Sequence, residues 1–333
     1  MIIVGNISGV TSWRYSEEQL SWERNHYFQA INKRFGTQIL ELCKDQKLLR
    51  EKVTGLLEIS NLNGTSPELV WITLSNKVNA LNLNSCIKLL EEIAINDIDE
   101  KLVFRSFYDQ KVDWIEDSLE RIINSFDEQH KKNMELSCGS IYENEIQKLV
   151  LEALNLLNEL CPGAYKEAKS ILRECVLLSG KGLKSSSVPI SFGAVFLLPN
   201  KDWNIVNILD FIVHEIAHHS LVIKSSLVKI INNPTDLSKS PLRPDPRPIN
   251  GILHATFVLV RVCYILIQYI QQDGEYSKTA IKYVSNYLKN LNEGLNSLKL
   301  DANWTSEGVI LMEDMMDGYI ELKVEFEKLG VLK

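Results

Sequence analysis

Residues 211–220 read FIVHEIAHHS, and the spacing within them organises the reading of the whole chain. His214 and His218 stand four apart, one turn or about 6 Å along an α-helix, so both imidazoles share a face and can meet at one metal ion. Glu215 projects beside the coordination positions that such a pair leaves open. An HExxH string also occurs by chance in helices with two incidental histidines. Here it lies in an apolar helix directly after Val188 to Leu198 (VPISFGAVFLL), which is rich in β-branched and aromatic residues and reads as one or two short strands. Pro199-Asn200 ends that segment, and a long helix is expected from about Trp203 to Ile231. His219 points elsewhere on the helix and reads as a hydrogen-bonding residue rather than a ligand.

Two histidines do not complete a site. The extended HExxHxxGxxH pattern fails, because Leu221 stands where its glycine would be and Lys224 where its last histidine would be. A glutamate on the following helix is the other common completion, but no Glu occurs between Glu215 and Glu275. His254 is the sole histidine after His219, and an α-helical hairpin around the intervening segment would bring it against the HExxH helix. It is the expected third ligand, with Glu275, Glu307 and Glu313 as the alternatives if it is a core histidine.

That intervening segment, Asn233 to Pro248, holds five prolines and cannot be helical throughout. Proline rigidity would hold Arg243 and Arg247 in place just before the helix that bears His254. Arginine suits a two-pronged grip on a carboxylate, although pairing with Asp245 or with helix C-termini would also employ both residues. Arg261 follows His254 by two turns on the same face, about 10 Å. In so apolar a helix it needs a partner, structural or catalytic.

Outward from this centre, helical periodicity recurs. Helices are expected over Ser16 to Arg34, Thr37 to Leu57, Ser66 to Leu81, Asn84 to Ala94, Val112 to Met134 and Tyr142 to Leu160. Breaks are expected at Asn61 to Gly64 and at Cys161-Pro162-Gly163, and Gly180 to Ser187 reads as a loop. Three further helices follow the Pro-rich segment: Ile249 to Gln272, Tyr276 to Leu298, and Ser306 to Leu329. The fold expected is mainly α, a multi-helix protein with a short β segment before the HExxH helix. Residues 1–140 form a helical N-terminal region that could hold a peptide, and residues 141–333 a helical metal-binding region.

Composition narrows the partners. A formal net charge of -7 argues against a non-specific nucleic-acid binder, which needs excess Lys and Arg to displace counterions. Six cysteines without a CxxC pair form neither a disulfide framework nor a zinc ribbon, and a reducing cytoplasm is expected. Met1 to Tyr15 lacks a basic start followed by a sustained apolar run, so no secretory signal is expected. Gly251 to Ile270 is nearly long enough to span a bilayer, but His254 and Arg261 lie inside it, and a buried core helix is the better reading. His26 and His130 sit among polar neighbours and read as surface residues.

Taken together, Phe192-Gly193-Ala194-Val195, His214-Glu215-Ile216-Ala217-His218, Leu242-Arg243-Pro244-Asp245-Pro246-Arg247-Pro248 and Gly251-Ile252-Leu253-His254 resemble one known pattern. It is that of the HExxH-containing peptide-modification proteins found with ribosomally made natural-product precursors. The resemblance covers about residues 185–270; its specific part is the Asp-Pro-Arg-Pro-x-x-Gly continuation. There are two departures: Pro244 fills a position where an acidic residue is expected, and Val258 stands where some members place the third histidine.

The resemblance implies an Fe(II)- and 2-oxoglutarate-dependent enzyme that hydroxylates β-carbons of residues in a precursor peptide. His214, His218 and His254 would then hold Fe(II), and an arginine would grip the far carboxylate of 2-oxoglutarate: Arg247 first, with Arg243 and Arg261 in reserve. Glu215 would be a close neighbour of the metal or an additional ligand. In the alternative, a zinc metallopeptidase, Glu215 is the general base that activates bound water. That reading has no familiar third-ligand spacing and gives the Arg-Pro segment no task. A third class, a non-catalytic peptide-binding scaffold with a structural metal, also accommodates the helices.

Overall fold

The computed structural model describes residues 12–16, 19–20, 22–23, 26–27, 40–41, 43, 45, 47–60, 102–106, 113–126, 128–243 and 245–330. The protein is mainly α, as its periodicity predicts. The expected helices Ser66 to Leu81 and Asn84 to Ala94, the break at Asn61 to Gly64, and Pro244 lie outside the described residues. Two compact units are woven from alternating stretches. One comprises residues 24–143 and 171–200; the other comprises residues 1–23, 144–170 and 201–333. Chain order and unit membership therefore differ: residues 171–200 return to the unit that holds 24–143.

In that first unit the elements are α1 (Lys47–Ser60), β1 (Val103–Arg105), α2 (Asp113–Asn124), α3 (Glu128–Lys131), β2 (Glu135–Cys138), β3 (Glu174–Lys181), β4 (Ser185–Ser186) and β5 (Ala194–Leu197). The strands make a mixed five-stranded sheet in the order β1-β3-β5-β4, with β2 also paired to β3. β3 lies parallel to β1 and β5 and antiparallel to β2. Its run Cys175–Leu178 is buried throughout, as a strand covered on both faces must be. Trp114, Ile115 and Ile122 of α2 pack with Val176, Leu178 and Phe196 in the core of this unit.

Two local expectations are corrected here. Gly180 and Lys181 belong to β3 rather than to a loop, and the helix expected over Val112 to Met134 ends at Asn124. Gly193 has φ 88°, a region that favours glycine, and its carbonyl accepts from the amides of Arg173 and Glu174 at 2.8 and 3.1 Å. That turn aims Ala194 into β5 and explains the glycine of the Phe-Gly-Ala string.

The second unit contains α4 (Glu143–Leu160, from Asn144 onward), α5 (Pro162–Ile171, up to Ser170), α6 (Ile205–Leu227), β6 (Leu237–Ser238), β7 (Arg247–Pro248), α7 (Ile249–Gln271), α8 (Ser277–Asp301) and α9 (Ser306–Lys328). The expected break falls at Cys161, between α4 and α5, and Pro162 opens α5, where its missing N–H is harmless. α7 packs against α6, α8 and α9. It meets α8 closely at Gly294, where a Cβ would stand 2.5 Å from Thr256 Oγ1.

Caps fix where these helices begin. Asn204 and Asn207 form a reciprocal box at the start of α6: Val206 N donates to Asn204 Oδ1 at 3.0 Å, and Asn204 N to Asn207 Oδ1 at 2.9 Å. Thr305 Oγ1 accepts from Gly308 N at the start of α9. α6 and α7 are long and apolar enough to cross a membrane, yet 78% and 72% of their most apolar windows are buried inside the protein.

Candidate metal centre

α6 is buried almost throughout because apolar residues occupy every side of it. From Val206 to Leu221 every residue is buried except two, His214 and His218, which are half-buried. On α7, the run from Ile252 to Cys263 is buried except at His254 and Ala255. The histidine positions are therefore where solvent reaches the two apolar helices. Their spacing puts the imidazoles on one side of α6, and α7 supplies the third ring.

The His214 and His218 rings lie 5.0 Å apart, centroid to centroid, at 68°. The His218 and His254 rings lie 5.4 Å apart and are nearly parallel, at 27°. His218 Nδ1 faces His254 Nδ1 at 3.2 Å. Without a metal this contact is a hydrogen bond between two neutral rings of opposite tautomer. Two nitrogens on one ion at about 2.1 Å stand about 3.0 Å apart in an octahedral site and about 3.4 Å apart in a tetrahedral one. The observed separation falls between these values, so the pair fits as adjacent ligands.

Among the described residues, however, no group of three or more His, Cys, Asp or Glu side chains stands ready to hold an ion. His218 lies between its two neighbours, and the contacts are pairwise.

The protonation state suits coordination. His218 is held well below the ordinary histidine range, first by burial and then by His214, His254 and His219, while burial alone brings His254 down to about 4. Both rings are neutral at pH 7, which is the form that binds a metal. Glu215 is 2% exposed and His219 1%, so both are covered while the ligand candidates are open. The alternative third ligands Glu275, Glu307 and Glu313 are all exposed. Ser306 Oγ donates to Glu307 at the start of α9. Of these candidates, His254 is the one in contact with His218.

The three arginines fare differently. Arg247 sits in β7, directly before α7, with Ser238 of β6 as its register partner, and it is half-buried. Arg243 is also half-buried, in the turn between β6 and β7. The base of this hairpin is tied down, because Ile249 N donates to Asp236 O at 2.8 Å and Asn250 N to Pro234 O at 3.0 Å. Arg261 instead lies 1% exposed, with both terminal nitrogens on the Glu167 carboxylate and its guanidinium 4.1 Å from the Tyr15 ring. Its partner is structural.

Sequence reasoning passed over three residues near this centre. Lys224, on α6, is 3% exposed, and its ammonium donates to Glu23 Oε1 at 2.7 Å. Asp210 stands one turn before His214 and accepts from Tyr287 OH at 2.7 Å; Asn207 reaches Tyr283 OH at 2.6 Å. The signal that could have found Lys224 is the one that marks Arg261: a cation in an otherwise apolar helical run.

No protein-family model matches the chain, and no curated protein sequence matches it.

Proposed function

We propose that this protein is an Fe(II)- and 2-oxoglutarate-dependent oxygenase that hydroxylates β-carbons in a ribosomally made precursor peptide. The observation that carries the reading is the half-buried histidine trio, in which neutral His218 and His254 face each other at 3.2 Å on otherwise buried helices. His214, His218 and His254 would hold the metal; imidazole ligands suit Fe(II) and Zn(II) alike. With 2-oxoglutarate and O2, bound iron supplies the power to replace C–H by C–O–H.

The protein's own groups prepare the site. The apolar walls of α6 and α7 exclude water, and burial keeps the imidazoles unprotonated. Since Arg261 and Lys224 each have a buried carboxylate of their own, a further anion beside them would lack a counter-charge. By the resemblance, Arg247 would grip the far carboxylate of 2-oxoglutarate, with Arg243 in reserve. The sequence pattern favours this reading over the zinc peptidase, which lacks a familiar third-ligand spacing and gives the Arg-Pro segment no task.

The deciding test is mass spectrometry of a genetically neighbouring precursor peptide under air and under nitrogen, with and without 2-oxoglutarate. The expected product is one oxygen heavier, accompanied by succinate, with the backbone intact. Arg247→Ala is expected to weaken 2-oxoglutarate tenfold or more and leave the metal in place. Cleavage that persists under nitrogen without 2-oxoglutarate would establish the peptidase instead.

A further inference from the structure

The charges that the proposed reaction leaves unused include two buried ion pairs, Glu23–Lys224 and Glu167–Arg261. Glu23, Lys224, Glu167 and Arg261 are 1%, 3%, 0% and 1% exposed. Two cations meet two carboxylates, so the quartet is neutral. Its layout follows the histidines: Lys224 lies six residues past His218 on α6, and Arg261 seven past His254 on α7, about 9 and 10 Å along the respective axes. The carboxylates come from elsewhere, Glu167 from α5 and Glu23 from the N-terminal segment.

That segment is anchored firmly. Trp13 is 2% exposed, its indole N–H donates to Asp314 O at 2.8 Å, and it packs where a Cβ on Gly318 would come within 2.6 Å. Arg14 reaches Asp314 and Glu321, and Tyr15 lies over Arg261.

Such a cluster is a poor source of stability. Burying charge is costly even when it is paired, and Glu23 Oε2 and Arg261 Nε are buried with no hydrogen-bond partner among the described residues. What it does provide is direction. α6 and α7 otherwise pack through apolar side chains, which fix spacing less sharply than hydrogen-bonded charges do. The N-terminal segment ties both helices, with Glu23 on Lys224 of α6 at 2.7 Å and the Tyr15 ring 4.1 Å from Arg261 of α7, and metal ligands tolerate errors of only about 0.2 Å.

We propose that Glu23 and Glu167 are positioning residues, which hold Lys224 and Arg261 and thereby set α6 and α7 at the spacing the imidazoles need to share an ion. The inference rests on the metal reading above. It makes the N-terminal segment part of the site through its contacts with Lys224 and Arg261.

The test replaces each pair by neutral groups of similar size, Glu23→Leu/Lys224→Met and, separately, Glu167→Leu/Arg261→Met. Co(II) titration of the full-length protein at 10 °C, read by the visible absorption of the bound ion, gives affinity and coordination. Thermal unfolding of metal-free protein gives stability. Each double variant is expected to melt near the wild-type temperature while binding Co(II) at least tenfold more weakly, with an altered spectrum. Wild-type affinity and spectrum in either double variant would overturn the proposal. So would a double variant that does not fold, since the pair would then be a stability element. Wild-type protein that takes up no Co(II) would remove the metal reading and the proposal with it.

Discussion

Helices α6 and α7 each carry polar groups of two kinds, about two turns apart. The histidines are half-buried and in mutual contact, His218 with His214 on one side and with His254 on the other, and His218 and His254 are held neutral. Lys224 and Arg261 are fully buried, and each is matched by a carboxylate from a different part of the same unit. One cluster is half-buried and sets ring against ring. The other is closed, with its charges satisfied internally. Polar groups in one apolar core can thus be read by what they leave unfilled, and that separates groups built to bind from groups built to hold.

The largest effect should come from breaking the closed cluster. Arg261→Met strands Glu167 without its partner, and we expect a loss of about 3–5 kcal/mol in urea unfolding. A loss below about 1 kcal/mol would mean that the pair is solvated and that the contrast with the histidines is false. Breaking the open cluster should act on the ligand instead. His254→Ala is expected to weaken metal binding at least a hundredfold, about 2.7 kcal/mol, with little change in the unfolding of metal-free protein. Full metal content in that variant would show that the third ligand lies elsewhere.

A further effect is read through pH. In metal-free protein the folded-state pKa of His254, about 4, lies below the unfolded value near 6.5. The unfolded chain therefore binds more protons between these limits. Stability is fully present above pH 6.5 and falls as pH drops toward 4, by about 1.4 kcal/mol per pH unit for each such histidine. Metal-free His254→Ala should show a shallower slope in that window. An unchanged slope would mean that His254 is solvated and not held neutral by burial.

Much of the helical architecture is legible in the amino-acid sequence. Three C-terminal helices begin and end within a few residues of expectation, because apolar positions recur at helical spacing and proline or turn residues mark the boundaries. The sheet is mostly illegible there. β1 pairs with β3 across a long separation, Val103 with Glu174, and strands of three or four residues carry too little periodicity to reveal that pairing. Gly180 and Lys181 resemble loop residues until Glu135 and Leu136 stand beside them in register.

The same division runs through the site. Sequence alone is enough to put His214 and His218 on one helical face, since four residues make about one turn in any α-helix. It is also enough to mark Arg261 as needing a partner, since a cation in an apolar helix cannot remain bare. Packing in three dimensions is what brings His254 to His218, Glu167 to Arg261, and Glu23 to Lys224 across 201 residues of chain. Local spacing is set by backbone geometry, whereas these contacts depend on how helices distant in sequence pack, and chain order does not encode which glutamate a buried cation will meet.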